Sequence, residues 1–434
     1  MKHLKLFAFL LPFALPFFSF AQQQLHQYAL FDLNQSRRLN PAYLSDTKWS
    51  VSLPNVYNQF RTNPLPLNRI IAPASTNGNE WRIVDQINRL SSKNEIRNLA
   101  QIESFALTFQ TEQETHWTIH HLIYVDAYFQ YPKALIQSIW ESVPASATLN
   151  HQIQLLSYHE LGVTFAKQLE DALQIGIRFK LLNGIDYVGT ERNDIRIQER
   201  QLYADYQLNT SAFLEQDNIG NLEFNLMPQR NFRDWFSRNF GYAFDLGIHA
   251  KMEQWQVGMS ILDLGQVFWK KEINSYSFEG VFSDTPFDFM EDYLEGMSSF
   301  EAMTDSLRQL FEVEEKEATL TTRLFPKVYG QVSYLPSENW QLSAVLYGEW
   351  FQDRFSPAIS LLTRFQPNDL IRFGLSYSIY EHHINQIGAS FVWYLRPFQV
   401  FFISNNLYHL LNWKKHEISD VQIGVNVLFG SKRK

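Results

Sequence analysis

Three short runs in this chain carry side chains able to bind a metal or move a proton: His120-His121, His159-Glu160 and Glu381-His382-His383. A metal centre needs three or four converging donors, and none of these runs has the HExxH or similar spacing that gathers ligands on one side of an element. Residues adjacent on a strand point to opposite faces, so His159 and Glu160 do not converge on one substrate. Glu381-His382-His383 lies between two strong strand patterns and reads as a solvated hairpin turn. No grouping of Ser, His and an orienting polar partner stands out either. The chain therefore reads as non-enzymatic, with no catalytic residue, no metal and no cofactor.

A second set is more informative. Arg178, Lys180, Asp245, His249, Lys251 and Arg372 are the polar members of segments whose other members are apolar at every second position. Ile371, Phe373, Leu375, Tyr377 and Ile379 interleave with Arg372, Gly374, Ser376 and Ser378, and Phe244, Leu246, Ile248, Ala250 and Met252 interleave with Asp245, Gly247, His249 and Lys251. Val421, Ile423, Val425, Val427 and Phe429 alternate with Gln422, Gly424 and Asn426. This is the period of a strand with two unlike faces. Charges facing a dry sandwich core would each need a partner, whereas a watery lumen accepts them. Strands of roughly nine to eleven residues, apolar outside and wet inside, suit the wall of a membrane barrel. The six residues are then candidates for lining the lumen, as a permeation path or as ion pairs that lock a plug.

Composition agrees. The 36 Phe, 20 Tyr and 11 Trp among 434 residues exceed what a soluble core usually needs, and barrels use such rings on the lipid face and in interfacial girdles. A net charge of -8 argues against a nucleic-acid partner, because phosphate binding needs a basic field. With no cysteine, the chain is held by sheet closure and packing rather than by disulfides.

Along the chain, Lys2 and Lys5, the apolar run Leu6 to Phe18 and Ser19-Phe20-Ala21 have the grammar of a secretory signal peptide over 1–21. No later apolar stretch is long enough for a membrane helix. Residues 22–57 are expected to form an N-terminal hatch and a first strand. The segment 58–103, with Pro64, Pro66 and Pro73 and apolar residues at Ile83, Ile87, Leu90, Ile96 and Leu99, reads as a partly helical insert, a plug or periplasmic cap. Residues 104–430 form the barrel, interrupted by an acidic helical loop over 282–317, and 431–434 is a basic tail. The predicted fold is all-β, an antiparallel transmembrane β-barrel of about 14 strands in the outer membrane.

Several local sequences resemble a known group. Leu39-Asn40-Pro41-Ala42, Tyr158-His159-Glu160-Leu161-Gly162, Ile175-Gly176-Ile177-Arg178-Phe179-Lys180 continuing to Ile185, and Asp263-Leu264-Gly265 resemble an uncharacterised family of Bacteroidetes-type outer-membrane barrels. That family is distantly similar to the FadL-like transporters and to the PorV and PorP/SprF barrels of type IX secretion. The resemblance implies that Asn40, Pro41 and Ala42 form a hatch motif. Two functions follow as expectations: FadL-like passage of small hydrophobic compounds, through a gap in the wall near the hatch, or a non-enzymatic scaffold for type IX secretion or surface-protein anchoring. The implied partners are outer-membrane lipid, a small hydrophobic ligand or envelope proteins.

Overall fold

The structure is a computed structural model that describes residues 24–70, 86–111, 115–140, 144–170, 172–199, 201–211, 239–282, 312–352, 354–380, 383–411 and 415–431. The signal-peptide segment, most of the acidic loop, Glu381-His382 and the last three residues lie outside them.

In chain order the strands are β1 (Thr47–Ser52), β2 (Asn55–Asn63), β3 (Asn94–Gln110), β4 (Thr115–Tyr131), β5 (Ser146–Thr148), β6 (Gln152–Gln168), β7 (Leu173–Gln198), β8 (Gln201–Ser211), β9 (Phe240–Met252) and β10 (Trp255–Trp269). They continue as β11 (Ile273–Phe282), β12 (Glu314–Glu317), β13 (Leu320–Arg323), β14 (Lys327–Ser337), β15 (Trp340–Phe351), β16 (Arg354–Asn368), β17 (Ile371–Tyr380), β18 (His383–Leu395), β19 (Phe398–Ser404) and β20 (Ile418–Ser431). Four short helices accompany them: α1 (Leu25–Tyr28), α2 (Leu67–Ile70), α3 (Lys133–Trp140) and α4 (Leu407–Leu411).

The sheet closes on itself. β1 and β2 run in line as one wall position and pair with both β3 and β20, and β13 and β14 do the same beside β10, giving a closed antiparallel barrel of 14 strands. Closure pairs the strand edges around the barrel, as a membrane demands, where an unpaired backbone group is costly; the exception is the outer part of β18 and β20 beyond β19. The phase of the alternation sets the two faces. Leu346, Leu361 and Leu375 are 58%, 56% and 57% exposed on the outside, while Ser343, Ser360, Arg372 and Ser378 between them are buried inside. Aromatic rings border this apolar band. Trp49–Phe109 (5.2 Å), Trp117–Phe165 (5.0 Å), Trp255–Tyr334 (4.8 Å) and Trp340–Phe365 (4.6 Å) pair across strands at one end, and Trp350–Phe355 (4.7 Å) at the other. Each such pair contributes about 0.5–1.5 kcal/mol beyond its burial. The protein is a transmembrane barrel of the outer-membrane type.

The end that carries short turns, such as Glu253-Gln254 and Arg396-Pro397, together with the start of β1 and the end of β20, is the periplasmic one; the long connections mark the outer end. β2 ends and β3 begins at this outer end, so the described residues between them, 64–70 and 86–93, are not a periplasmic cap. The expected helical insert over 58–103 is also largely wall. Asn58–Asn63 complete β2 and Asn94–Glu103 open β3, leaving helix only at α2 and a 3-10 turn at Ile87–Arg89 among the described residues. The strand was hidden because charges occupy its inner face: Glu95 and Arg97 point inward with Leu99, so the apolar residues lose their two-residue period. Of the acidic segment 282–317, the described end is strand, not helix: β12 pairs with β11 through Asn274–Glu317 to Ser277–Glu314.

β7 exceeds the wall. Its first half pairs with β9, whereas Val188 to Gln198 pair with β8 on one side and, at their end, with β5 on the other. β8 pairs with β11 and β11 with β12, so a second sheet rises from the wall beyond the barrel's outer end.

Candidate functional site

The lumen is filled from the periplasmic end by residues 24–46. α1, a 3-10 turn at Asn34–Arg38 and the Asn40-Pro41-Ala42 tripeptide fold into a compact hatch whose Leu25, Tyr28, Leu39 and Tyr43 are buried. Asn40 shapes it: its Oδ1 accepts from the Ala42 N–H (3.0 Å), and its Nδ2 donates to Tyr28 Oη and to the Ile248 carbonyl, both at 3.1 Å. The wall is made flat to receive this turn. A Cβ on Gly176 would lie 2.2 Å from the Pro41 carbonyl carbon, and one on Gly247, the cross-strand partner of Gly176, 2.1 Å from Asn40 Oδ1. Ser260 Oγ donates to the Leu39 carbonyl (2.6 Å), and Tyr28 stacks on Tyr329 at 4.7 Å. On the opposite flank His26 sits between Ser376 Oγ (3.0 Å) and Ser390 Oγ (2.8 Å), over Gly374, and its N–H donates to Asn405 Oδ1 (3.0 Å). Burial pushes the His26 imidazole down to about 3, so it is neutral at ordinary pH. Asp32 is clamped by Arg364 (3.0 Å) and Arg372.

Above the hatch lies a belt of buried charges. Arg178 donates to Asp245 (2.8 Å) and to the Arg38 carbonyl (2.8 Å), and also to the Arg37 carbonyl. Lys180 contacts Asp245 (2.9 Å) and Asp263 (2.6 Å), Lys327 contacts Asp263 (2.5 Å), and His120 contacts Glu160 (2.8 Å). Asp263 reaches inward through a bulge, where it has φ 63°, and its N–H donates to Asp245 Oδ1 (2.8 Å). Farther round the lumen, Arg97 bridges Asp126 (2.7 Å) and Glu349 (2.9 Å) and lies over the Phe351 ring at 3.6 Å. Removing one member of such a buried pair strands its partner, at a cost of about 3–5 kcal/mol.

Together these groups close the axis. The chamber between hatch and belt, lined by Tyr57, Tyr124, Tyr158, Tyr329, Lys180 and Glu349, has a volume of about 50 Å³. An engineered cavity that binds benzene measures roughly 150 Å³, so this chamber admits water-sized guests only. Larger hollows, of about 480 and 300 Å³, flank Asp32 and Asp46 at the periplasmic mouth.

The wall itself is broken at one position. β19 stops at Ser404 and pairs only with Ala389–Leu395 of β18 and Gln422–Val427 of β20. Beyond it, no strand lies between β18 and β20 among the described residues, and α4 packs against both, with His409 Nδ1 at 2.9 Å from the Ile418 carbonyl. This window is beside the hatch, since Asn405, the first residue after β19, contacts His26. The first wall strand is also interrupted at Leu53-Pro54, but the Leu53 N–H still donates to the Val425 carbonyl (2.9 Å) and the wall stays closed there.

Of the residues selected from sequence, Arg178, Lys180, Asp245, His249 and Arg372 are buried on the inner face, and Asn40, Pro41 and Ala42 form the seated turn. Lys251 departs from that group: it lies on an exposed rim of the periplasmic hollow, because β9 there leaves the barrel for its turn. Glu160 turns inward to His120 while His159 turns outward to His121 (3.1 Å), the division expected of adjacent strand residues. Among the described residues no three His, Asp or Glu gather as a metal site. Sequence reasoning missed Asp263, Lys327, Arg97, Asp126 and Glu349. All but Asp263 occupy inner positions of alternating strands and were legible in principle; Asp263 depends on its bulge.

Comparison with known proteins adds the following. Among solved structures the chain is similar to a TodX deltaS2S3 mutant monoaromatic hydrocarbon channel, with 9% identity over 92% of this chain and 94% of that one and a TM-score of 0.47. It is also similar to the Ralstonia pickettii toluene transporter TbuX (7% identity, 91% and 92% covered, TM-score 0.44) and to a Pseudomonas aeruginosa FadL homologue (8%, 92% and 92%, 0.41). No curated protein sequence matches. A family model described as a family of unknown function, DUF5723, matches residues 41–405, from inside the hatch motif to the residue after β19, and the chain belongs to that family.

Proposed function

We propose that this barrel passes small hydrophobic compounds sideways through its wall rather than along its axis. The observation that carries the reading is the window beyond Ser404, where a short helix rather than a strand separates lumen from lipid. A compound dissolved in lipid meets α4 and the exposed Leu407, Tyr408 and Ile387, whereas the axial route is stopped by the hatch and by ion pairs. Displacing one helix of five residues breaks fewer hydrogen bonds than separating two paired strands. The test is uptake of a fluorescent hydrophobic probe into proteoliposomes. The wild-type chain should accelerate uptake, and a chain whose α4 is cross-linked to β18 through introduced cysteines should do so only after reduction. Equal uptake by protein-free liposomes sinks the reading.

A second reading has its own observation. The sheet β5–β7–β8–β11–β12 rises beyond the barrel and ends on β12, an exposed strand of Glu314, Glu315, Lys316 and Glu317. Such a projecting sheet supports a scaffold that docks or anchors envelope proteins. Deleting residues 201–211 and 273–317 while leaving the 14-strand wall would abolish co-purification of envelope partners if the scaffold reading holds. Unchanged co-purification, or none from the intact protein, counts against it.

A further inference from the structure

Behind the window the inner wall carries amides with nothing to bond. Gln386 on β18, Gln422 on β20 and Gln27 of α1 are 1%, 1% and 0% exposed, and neither the nitrogen nor the oxygen of any of the three side-chain amides has a hydrogen-bond partner. Gln59 Oε1 on β2 is in the same condition. Their positions are contiguous. Gln59 is the cross-strand partner of Asp420, Tyr57 that of Gln422, and Asp420 and Gln422 share the inner face of β20, Gln422 paired with Ile403 at the end of β19 and Asp420 just beyond it. Gln386 borders the gap from the other side. Asn405 spans it: its N–H donates to Asp420 Oδ1 (2.8 Å) and its Nδ2 also donates to Asp420, while its Oδ1 takes the His26 N–H (3.0 Å). Gly388 permits this, since a Cβ there would come within 2.7 Å of Asn405 Cα.

Leaving a buried amide unsatisfied costs about 1–3 kcal/mol per group. Folding alone therefore gives no reason for two such glutamines on the strands that flank a gap, with a third on the hatch helix beside it. Their chemistry is specific: each amide offers donors and an acceptor, and the only ionisable group among them, Asp420, is held by neutral donors, Asn405 and Ser404. The lumen's arginines are committed elsewhere, Arg364 and Arg372 to Asp32, Arg61 to Glu95 and Arg97 to Asp126 and Glu349. An anionic head group could accept from the amide nitrogens only and would leave the amide oxygens unpaired. A pure hydrocarbon would leave the amides as they are.

Building on the lateral route, we propose that the window binds amphiphiles with an uncharged, hydroxyl- or amide-bearing head, which bonds to Gln386, Gln422 and Gln27 while the apolar tail stays in the bilayer beside α4. Three diazirine-tagged probes distinguish the possibilities on the full chain in lipid nanodiscs: decane, decanoate and decyl glucoside, with the labelled residues read by mass spectrometry. The glucoside should label the peptides around 383–388 and 404–411 about tenfold more than decanoate or decane does. The variant Gln386→Leu/Gln422→Leu should lose that excess and keep heat-modifiable gel mobility, because it removes groups that bond to nothing in the fold. Equal labelling of the window by all three probes, unchanged in the variant, overturns the head-group inference and leaves lateral passage standing. Absence of window labelling by any probe removes both.

Discussion

The two flanks of the hatch are built on opposite plans. On the β7–β10 side the wall offers Gly176, Gly247 and Gly258 to the Asn40-Pro41-Ala42 turn, Ser260 to Leu39, and the Arg178 guanidinium to the Arg37 and Arg38 carbonyls. On the β17–β20 side one strand ends early, a helix covers the gap, and glutamines remain without partners. The first flank holds the hatch turn by close packing and direct hydrogen bonds; the second keeps whole side-chain amides without partners. A plugged barrel that must admit a guest without losing its plug needs both, a fixed hinge side and a yielding side.

The strongest way to break the contrast is to unseat the fixed flank. Asp245→Ala deprives Arg178 and Lys180 of their shared carboxylate and the Asp263 N–H of its acceptor. By analogy with other broken buried pairs, urea unfolding in micelles should report about 3–5 kcal/mol lost. Planar-bilayer recordings should also show ion leakage as the Arg178 clamp on the hatch loosens. A variant with wild-type stability and no leakage means that the belt does not hold the plug.

Next in size is the glycine seat. Gly176→Ala places a methyl against the Pro41 backbone, which cannot rotate away as a side chain would, so up to about 3 kcal/mol of overpacking is expected. Gly330→Ala is the matched control, since its Cβ meets only Leu346 Cβ at 4.0 Å. If both variants melt alike, the flat seat is incidental.

Acid probes the yielding flank. The His26 imidazole is held at about 3 by burial, below its ordinary 6.5, so the folded hatch favours the neutral ring. Its contribution is complete above about pH 6.5 and is lost as the pH falls from there towards 3; at pH 5 the linkage amounts to about 2 kcal/mol. The protection factors of residues 24–30, exchange rates normalised to the intrinsic rate at each pH, should fall between pH 7 and pH 5 in the wild type and stay constant in His26→Gln. A flat wild-type profile would falsify the assignment of His26 as a neutral anchor.

How far this contrast was legible in sequence follows from the physics of each part. The wall was readable because the strict alternation in segments such as 371–379 and 421–429 reports two solvents directly. Arg178, Lys180 and Asp245 were readable for the same reason, as charges on the wet face. The wall between Asn58 and Glu103 was not, because Arg61, Glu95 and Arg97 place charges inside while apolar residues such as Phe60 and Leu99 fall on both faces, and the period dissolves. Asp263 escaped because a bulge changes the phase locally, which no spacing rule anticipates. The window escaped for a different reason. Phe398 to Asn405 alternates well enough to read as a strand, but how far its neighbours extend beyond it depends on register, a property of three strands at once.

The smallest and most local test concerns the residue that joins the two flanks. The Asn405 side chain accepts from the hatch, through the His26 N–H, and donates to the wall, through Asp420. Asn405→Ala removes both bonds but keeps the backbone N–H that donates to Asp420 Oδ1, so the loss should be about 1 kcal/mol, the ordinary worth of such bonds. Its selectivity matters more than its size. If the β17–β20 flank yields independently, exchange at α4 and at His26 should rise while the Asn40-Pro41-Ala42 turn on its glycine seat remains protected. If exchange rises equally at both places, the hatch moves as one body and the division into a fixed and a yielding flank is wrong.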